Sequence, residues 1–367
     1  IDVLDYVDME DARRLIADLI ASYRKMKNEG VVAIYQKERF DEYANFARIG
    51  NGSLGGKGRG LAFMGTMVKR YPKFERDNFS VNIPKTVVIA TDVFDEFMER
   101  GNLYPIALSD ASDEEILQAF EKAELPERVL DDLVYLCEVV HGPIAVRSSS
   151  LLEDSHYQPF AGIYSTYMIP HPEISKGSVD LLQRAIKGVY ASVFYKDSKA
   201  YLTATQNLID QEKMAVILQE VVGTQHGDRY YPSISGVARS LNYYPIGEEK
   251  AEEGTVSLAL GLGKYIVDGG LTLRVCPYHP NQVLQTSEME IALRETQTQF
   301  YALDLKNKGE NFSLDDGFNL LKLPVKEAEK DGALQYIAST YDPYDMVIRD
   351  GIYPGGRKVI TFANILQ

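Results

Sequence analysis

The chain has 367 residues, 45% of them hydrophobic and 25% charged, enough for two or three lobes around a sizeable core. Thirty-nine basic residues against 53 acidic ones leave a net charge of −14, which argues against non-specific binding to nucleic acid or to an anionic membrane. It leaves room for a local basic pocket that takes a small anion. The two cysteines, Cys137 and Cys276, have neither a metal-ligand spacing nor a disulfide framework, and no apolar run reaches the length of a membrane span. Reduced thiols in a cytoplasmic protein are the expectation.

Residues 8–28 read as an amphipathic helix, with Ala12, Leu15, Ile16, Leu19, Ile20 and Tyr23 on one face and Asp8 as its cap. Residues 31–47 also read as helical. A glycine-rich run follows, Gly50-Asn51-Gly52-Ser53-Leu54-Gly55-Gly56-Lys57-Gly58. Gly50, Gly52 and Gly55 satisfy G-x-G-x-x-G, but no apolar strand is read before them, and the Ser or Thr of a Walker loop is absent after Lys57. Such a turn lets backbone amides and one ammonium approach an anion. It can equally be a solvated loop. A helix is expected from about Gly60 to Arg70.

Residues 81–91 read as a strand entered through Pro84, after which Asp92 caps a helix over Val93 to Arg100. Two helices are expected within 111–139. The stretch Gly142-Pro143-Ile144-Ala145-Val146-Arg147-Ser148-Ser149-Ser150-Leu151-Leu152-Glu153-Asp154 then begins as a buried β-branched strand and delivers a guanidinium, three hydroxyls and two carboxylates. A guanidinium at the end of a buried strand needs a carboxylate or a phosphate. Arg147 therefore either pairs with Glu153 or Asp154 or meets a phosphate, with the hydroxyls and amides beside it as further donors. A small-residue loop, Phe160-Ala161-Gly162-Ile163-Tyr164-Ser165-Thr166, comes next.

Ser178–Tyr195 reads as a helix, and Met214 to Val222 as a buried strand with a polar end. The paired glycines Gly261 and Gly263, after the apolar run Val256 to Ala259, can form a tight turn. Helices are expected over Ser287–Leu303 and from Pro324 to about Tyr341, a turn at Asp342-Pro343-Tyr344-Asp345, and a strand at Val359 to Phe362.

Taken in order, these motifs resemble the nucleotide-binding region of the phosphoenolpyruvate synthase (pyruvate, water dikinase) and pyruvate phosphate dikinase family. Leu54-Gly55-Gly56-Lys57-Gly58…Leu61 is similar to L-G-G-K-G-x-x-L, and Val146-Arg147-Ser148-Ser149…Glu153-Asp154…Phe160-Ala161-Gly162…Thr166 to V-R-S-S-A-x-x-E-D…F-A-G-x-x-x-T. Ala215-Val216…Gln219…Val222, Ser235-Gly236-Val237 and Gly261-Leu262-Gly263 also match. Lys85-Thr86 stands where the family carries Gly-Phe, and Lys264 where it carries Glu. The resemblance covers residues 50–270.

The resemblance implies an α+β, ATP-grasp-type fold of two lobes that clamp ATP. The expected organisation is a helical extension over 1–48, a first lobe over 49–210 and an incomplete second lobe over 211–367. It implies that Lys57 and Arg147 serve catalysis, Lys57 on the α/β side of the triphosphate and Arg147 on the β/γ side. Gly55, Gly56 and Ser148 would join them. Ala161, Gly162 and Thr166 would lie over the phosphates, and Gln219, Val221 and Val222 would seat the adenine. The full enzyme would convert ATP and pyruvate to phosphoenolpyruvate, AMP and phosphate. A phosphotransferase of the same fold with another acceptor, or a non-catalytic nucleotide-binding module, stays open, as does a homo-oligomer. The Q-x-R-P strand, the acidic magnesium ligands and the carrier histidine of the family have no counterpart here; His141, His156, His171, His226 and His279 lack the T-S-H-A context. The chain is therefore expected to be an N-terminal piece whose Mg2+ ligands lie outside it and which has little activity alone.

Overall fold

The computed structural model describes residues 33–34, 45–71, 79–150, 162–170, 176–204, 212–307, 309 and 312–366. The helix expected over 8–28, and Leu151 to Ala161 with Glu153 and Asp154, lie outside the described residues. The chain mixes helices and sheets in two compact units. The first comprises residues up to Val221 together with Lys308–Phe318, and the second Val222–Asn307 with Asn319–Gln367.

The first unit is built on a six-stranded sheet. In chain order its strands are β1 (Ala33–Ile34), β2 (Phe46–Ile49), β3 (Thr86–Ile89), β4 (Ile144–Ser150), β5 (Thr166–Ile169) and β6 (Met214–Glu220), arranged in space as β1-β2-β3-β6-β4-β5. β1, β2 and β3 run parallel; β6 pairs antiparallel with both β3 and β4, and β5 antiparallel with β4. The sequence reading had 31–47 as helix, yet Ala33–Ile34 and Phe46–Ala47 are strand. It also had β6 in the second lobe. The division falls after Val221 because β6 is the strand that joins β3 to β4.

Helix α1 (Gly55–Arg70) connects β2 to β3 and starts earlier than the sequence suggested. The helices that follow include α2 (Thr91–Arg100), α3 (Asp113–Lys122), α4 (Glu127–Val139) and α5 (Lys176–Ser192). Local chemistry places α3: the Ser112 hydroxyl accepts from the Glu115 amide and the Glu115 carboxylate from the Ser112 amide, a reciprocal cap, while Ile116, Leu117 and Phe120 turn inward. The larger core lies on one face of the sheet, where Val87, Ile89, Val146 and Leu218 meet Phe94 and Phe97 of α2, Phe120 of α3, Leu133 of α4 and Tyr190 of α5. The smaller core lies on the other face: Phe46, Val88, Ala215 and Ile217, covered by Leu54, Leu61 and Ala62.

The second unit holds three antiparallel sheets. One is β11-β10-β9, from Ser235–Arg239 (β9), Thr255–Ala259 (β10) and Leu273–Val275 (β11). The next is β13-β12-β8-β7, from Thr224–His226 (β7), Arg229–Tyr231 (β8), Gln299–Asp304 (β12) and Leu320–Pro324 (β13). The last is β15-β14-β16, from Ala338–Asp342 (β14), Val347–Asp350 (β15) and Arg357–Ile360 (β16). Two expected helices are thereby shortened. Only Met289–Glu295 of 287–303 is helical, because the segment from Gln299 pairs on both sides and buries Phe300, Ala302 and Leu303. Of residues 324–341 only Val325–Lys330 is helical; Gly332 follows at φ 73°, a left-handed backbone that ends the helix.

Phe94 is buried between Tyr190 and Phe194, with ring centroids 5.1 and 6.4 Å away. Phe94→Ala is expected to destabilise the first unit by about 3–5 kcal/mol. Urea unfolding followed by circular dichroism suits a chain without tryptophan; a change below about 1 kcal/mol would show that the cluster is not the packed centre of this unit.

Candidate phosphate-binding site

Strand β2 does precede the glycine turn, contrary to the sequence reading, and the chain leaves it at Gly50 with φ 89°. The amides of Asn51 and Gly52 then donate to the two oxygens of the Asp92 carboxylate at 3.0 and 2.9 Å. The Ser53 amide donates to Thr91 Oγ1 at 2.9 Å, and the Thr91 amide returns a bond to the Ser53 carbonyl. A Cβ on Gly50 would sit 2.5 Å from Asp92 Oδ1, and one on Gly52 2.5 Å from the Asp92 amide nitrogen. These glycines are required by close approach. Asp92 is thus not the cap of α2, whose N-cap is Ala90 with no side-chain bond; it is the anchor of the turn. Burial pushes its carboxyl up, but the bonds from Asn51 and Gly52 and the Arg128 guanidinium, 3.8 Å away, outweigh this and hold it below the ordinary value.

The turn delivers α1 against the end of β4. Gly55, at φ 69°, lies so close to β4 that a Cβ would fall 1.7 Å from the Ser149 carbonyl oxygen. The Ser149 hydroxyl donates to the Leu54 carbonyl at 2.8 Å and accepts the Gly58 amide at 3.0 Å. One buried hydroxyl thereby bridges a carbonyl and an amide of the helix's first turn. Gly55 and Gly56 are buried, and the Lys57 ammonium reaches Ser148 Oγ at 3.4 Å. Lys57 thereby reaches β4 at Ser148, the residue that follows Arg147 in the strand.

Arg147 is half-buried and opposite Ile217 in the β4–β6 ladder, which puts it on the face that α1 covers. Across β4–β5 its partner is Thr166, whose amide donates to Asp316 Oδ2 at 3.0 Å. Gln219, on the same face, accepts from Arg147 Nη1 at 3.4 Å and donates to Thr86 Oγ1 at 3.0 Å. The Thr86 hydroxyl donates onward to the Pro84 carbonyl at 2.7 Å.

The sequence-derived set therefore divides. Gly55, Gly56, Lys57, Arg147, Ser148, Thr166 and Gln219 gather about β4. Gly162 is exposed at φ 79°, and Ala161 lies outside the described residues. The amides of Glu220 and Val221 already donate to the Lys85 and Pro143 carbonyls, and Val222 is the first residue of the second unit. Sequence reasoning passed over Ser149, Asp92 and Thr86. For Ser149 a signal existed: a two-residue period puts positions 147 and 149 on one face. Among the described residues no three His, Cys, Asp or Glu side chains are grouped to hold a metal ion. No helix among them is long and apolar enough to cross a membrane.

Residues 51–317 match the family model described as pyruvate phosphate dikinase, AMP/ATP-binding domain. The chain is also similar to an uncharacterized phosphotransferase, YvkC, of Bacillus subtilis, at 27% identity over 190 residues. That match takes in 52% of this chain and 20% of the relative, so the chain spans about a fifth of the relative's length.

Asp92 gives the turn a pH signature. Its folded value lies below the ordinary 3.8, so its stabilisation is complete above that value and is lost as pH falls through the folded one. Asp92→Ala is expected to lower the melting temperature at neutral pH, and the gap to wild type should close as pH drops below 3.8. A gap that does not change with pH would show that the carboxylate's charge does not hold the turn.

Proposed function

The chain belongs to the pyruvate phosphate dikinase AMP/ATP-binding domain family, and from that premise we propose that the α1–β4 site of its first unit binds the phosphates of ATP for phosphoryl transfer. The observation that supports this reading is that α1 and β4, which carry Lys57 and Arg147, are docked against each other. Lys57 touches Ser148, Arg147 is the residue before it, and the glycine turn holds the helix start against Ser149. Phosphoryl transfer asks of the protein mainly positioning and neutralisation of oxygen charge. An ammonium supplies a compact point charge, and a guanidinium a planar fork that fits two phosphate oxygens. In this reading Lys57 serves the α/β phosphates and Arg147 the β/γ phosphates. Thr166 lies opposite Arg147, and Gly162 allows a close backbone approach.

The full proposal is an ATP-grasp-type nucleotide-binding portion of a dikinase, in which ATP and pyruvate give phosphoenolpyruvate, AMP and phosphate. The relative named as a phosphotransferase supports the transfer class. Pyruvate as acceptor rests on the family name.

Lys57→Ala and Arg147→Ala should each remove a charge-assisted contact of about 1.5–3 kcal/mol, which weakens ATP binding roughly 10- to 100-fold. Isothermal titration of the purified chain with ATP measures this. Unchanged affinity in both variants, with unchanged melting temperatures, would remove the site from consideration.

A further inference from the structure

We propose that Thr86 and Gln219 are positioning residues that aim the Arg147 guanidinium at the terminal phosphates of the nucleotide. The inference rests on the reading of Arg147 as a phosphate ligand and goes beyond it. Thr86 and Gln219 face each other across β3–β6, and Gln219 lies two residues along from the partner of Arg147 in β4–β6. The three side chains form a row across one face of the sheet, running from β4 over β6 to β3.

The row has a direction. Thr86 is 1% exposed, and its hydroxyl donates to the Pro84 carbonyl at 2.7 Å. Its one hydrogen is therefore used, and it can only accept from the Gln219 side chain. That fixes the amide with its nitrogen toward Thr86, at 3.0 Å, and its oxygen toward Arg147 Nη1, at 3.4 Å. An amide turned the other way would oppose donor to donor at the guanidinium and acceptor to a hydroxyl without a free hydrogen. A buried hydroxyl between apolar strands is costly unless partnered, and here its partners set the orientation of the one side chain that meets the guanidinium from β6.

The test is isothermal titration of the full chain with ATP and with AMP, which lacks the phosphates assigned to Arg147. Thr86→Val keeps the shape and removes the hydroxyl. It is expected to weaken ATP binding about three- to tenfold, corresponding to a lost neutral hydrogen bond, with AMP binding changed less than about twofold. Thr86→Ser should restore ATP binding. In the Arg147→Ala background, Thr86→Val should add no further loss, since both act on one contact. Equal weakening of ATP and AMP, or full additivity with Arg147→Ala, would overturn the positioning role and leave the phosphate reading standing. An Arg147→Ala variant that keeps the wild-type ratio of ATP to AMP affinity would overturn both. If Thr86→Val lowers the melting temperature, Thr86→Ala, which removes the hydroxyl and adds no group in its place, carries the same comparison.

Discussion

The approach of Gly55 to the Ser149 carbonyl is the constraint on which the site depends. No side chain fits there: a Cβ would lie 1.7 Å from that oxygen, and the backbone at φ 69° is one that other residues rarely adopt. Because the gap is closed to a backbone-to-backbone distance, the Ser149 hydroxyl can serve Leu54 and Gly58 at once. Each such bond contributes about 1 kcal/mol net, and leaving either group buried without a partner would cost more. The same docking lays Leu54, Leu61 and Ala62 over Phe46, Val88, Ala215 and Ile217. Burial of the helix and placement of Lys57 are thus one event, not two.

Much of this was legible in the sequence because it is local or periodic. β4 and β6 announce themselves as apolar runs, and the glycine turn by composition. What was not legible depends on partners remote in sequence. Asp92 reads as a helix cap because Asp before an apolar periodic run usually is one, yet its carboxylate acts on amides 40 and 41 residues away. Thr86 reads as a departure from a pattern until the β3–β6 register sets it opposite Gln219. The segment from Gln299 to Asp304 carries too few residues for its alternation to outweigh the helical start at Met289, and only pairing with β8 and β13 decides it. The short β2 escaped notice for the same reason: four residues make a strand here only because β3 runs beside them.

The net charge of −14 does not oppose an anion at this place. Exposed charges beyond about 8 Å are largely screened at physiological salt, so the potential at β4 is set by the groups next to it. Among the described residues these include the cations Lys57 and Arg147 and several hydrogen-bond donors. Two described carboxylates have other partners: Asp92 accepts two turn amides and faces Arg128, and Asp316 accepts the Thr166 amide. A carboxylate held by amides is also a poor competitor for a neighbouring ammonium, since its lone pairs are already directed.

Two kinds of restraint then meet at one strand. The backbone kind, Asp92 with the glycine turn and Gly55 with Ser149, fixes where Lys57 emerges. The side-chain kind, Thr86 with Gln219, fixes how Arg147 is turned. β4 lies between β6 and β5 and is covered by α1 on one face and by the aromatic core on the other, so neither cation is carried by a free loop. Sites built on packed strands and helix starts hold their geometry better than sites on loops, and a misplacement of about 1 Å is enough to lose most of the advantage of orientation. On the proposed reading, in which catalysis is largely positioning, the ordering of Lys57 and Arg147 before a nucleotide arrives would be the property this packing supplies, through residues most of which would not touch the phosphates.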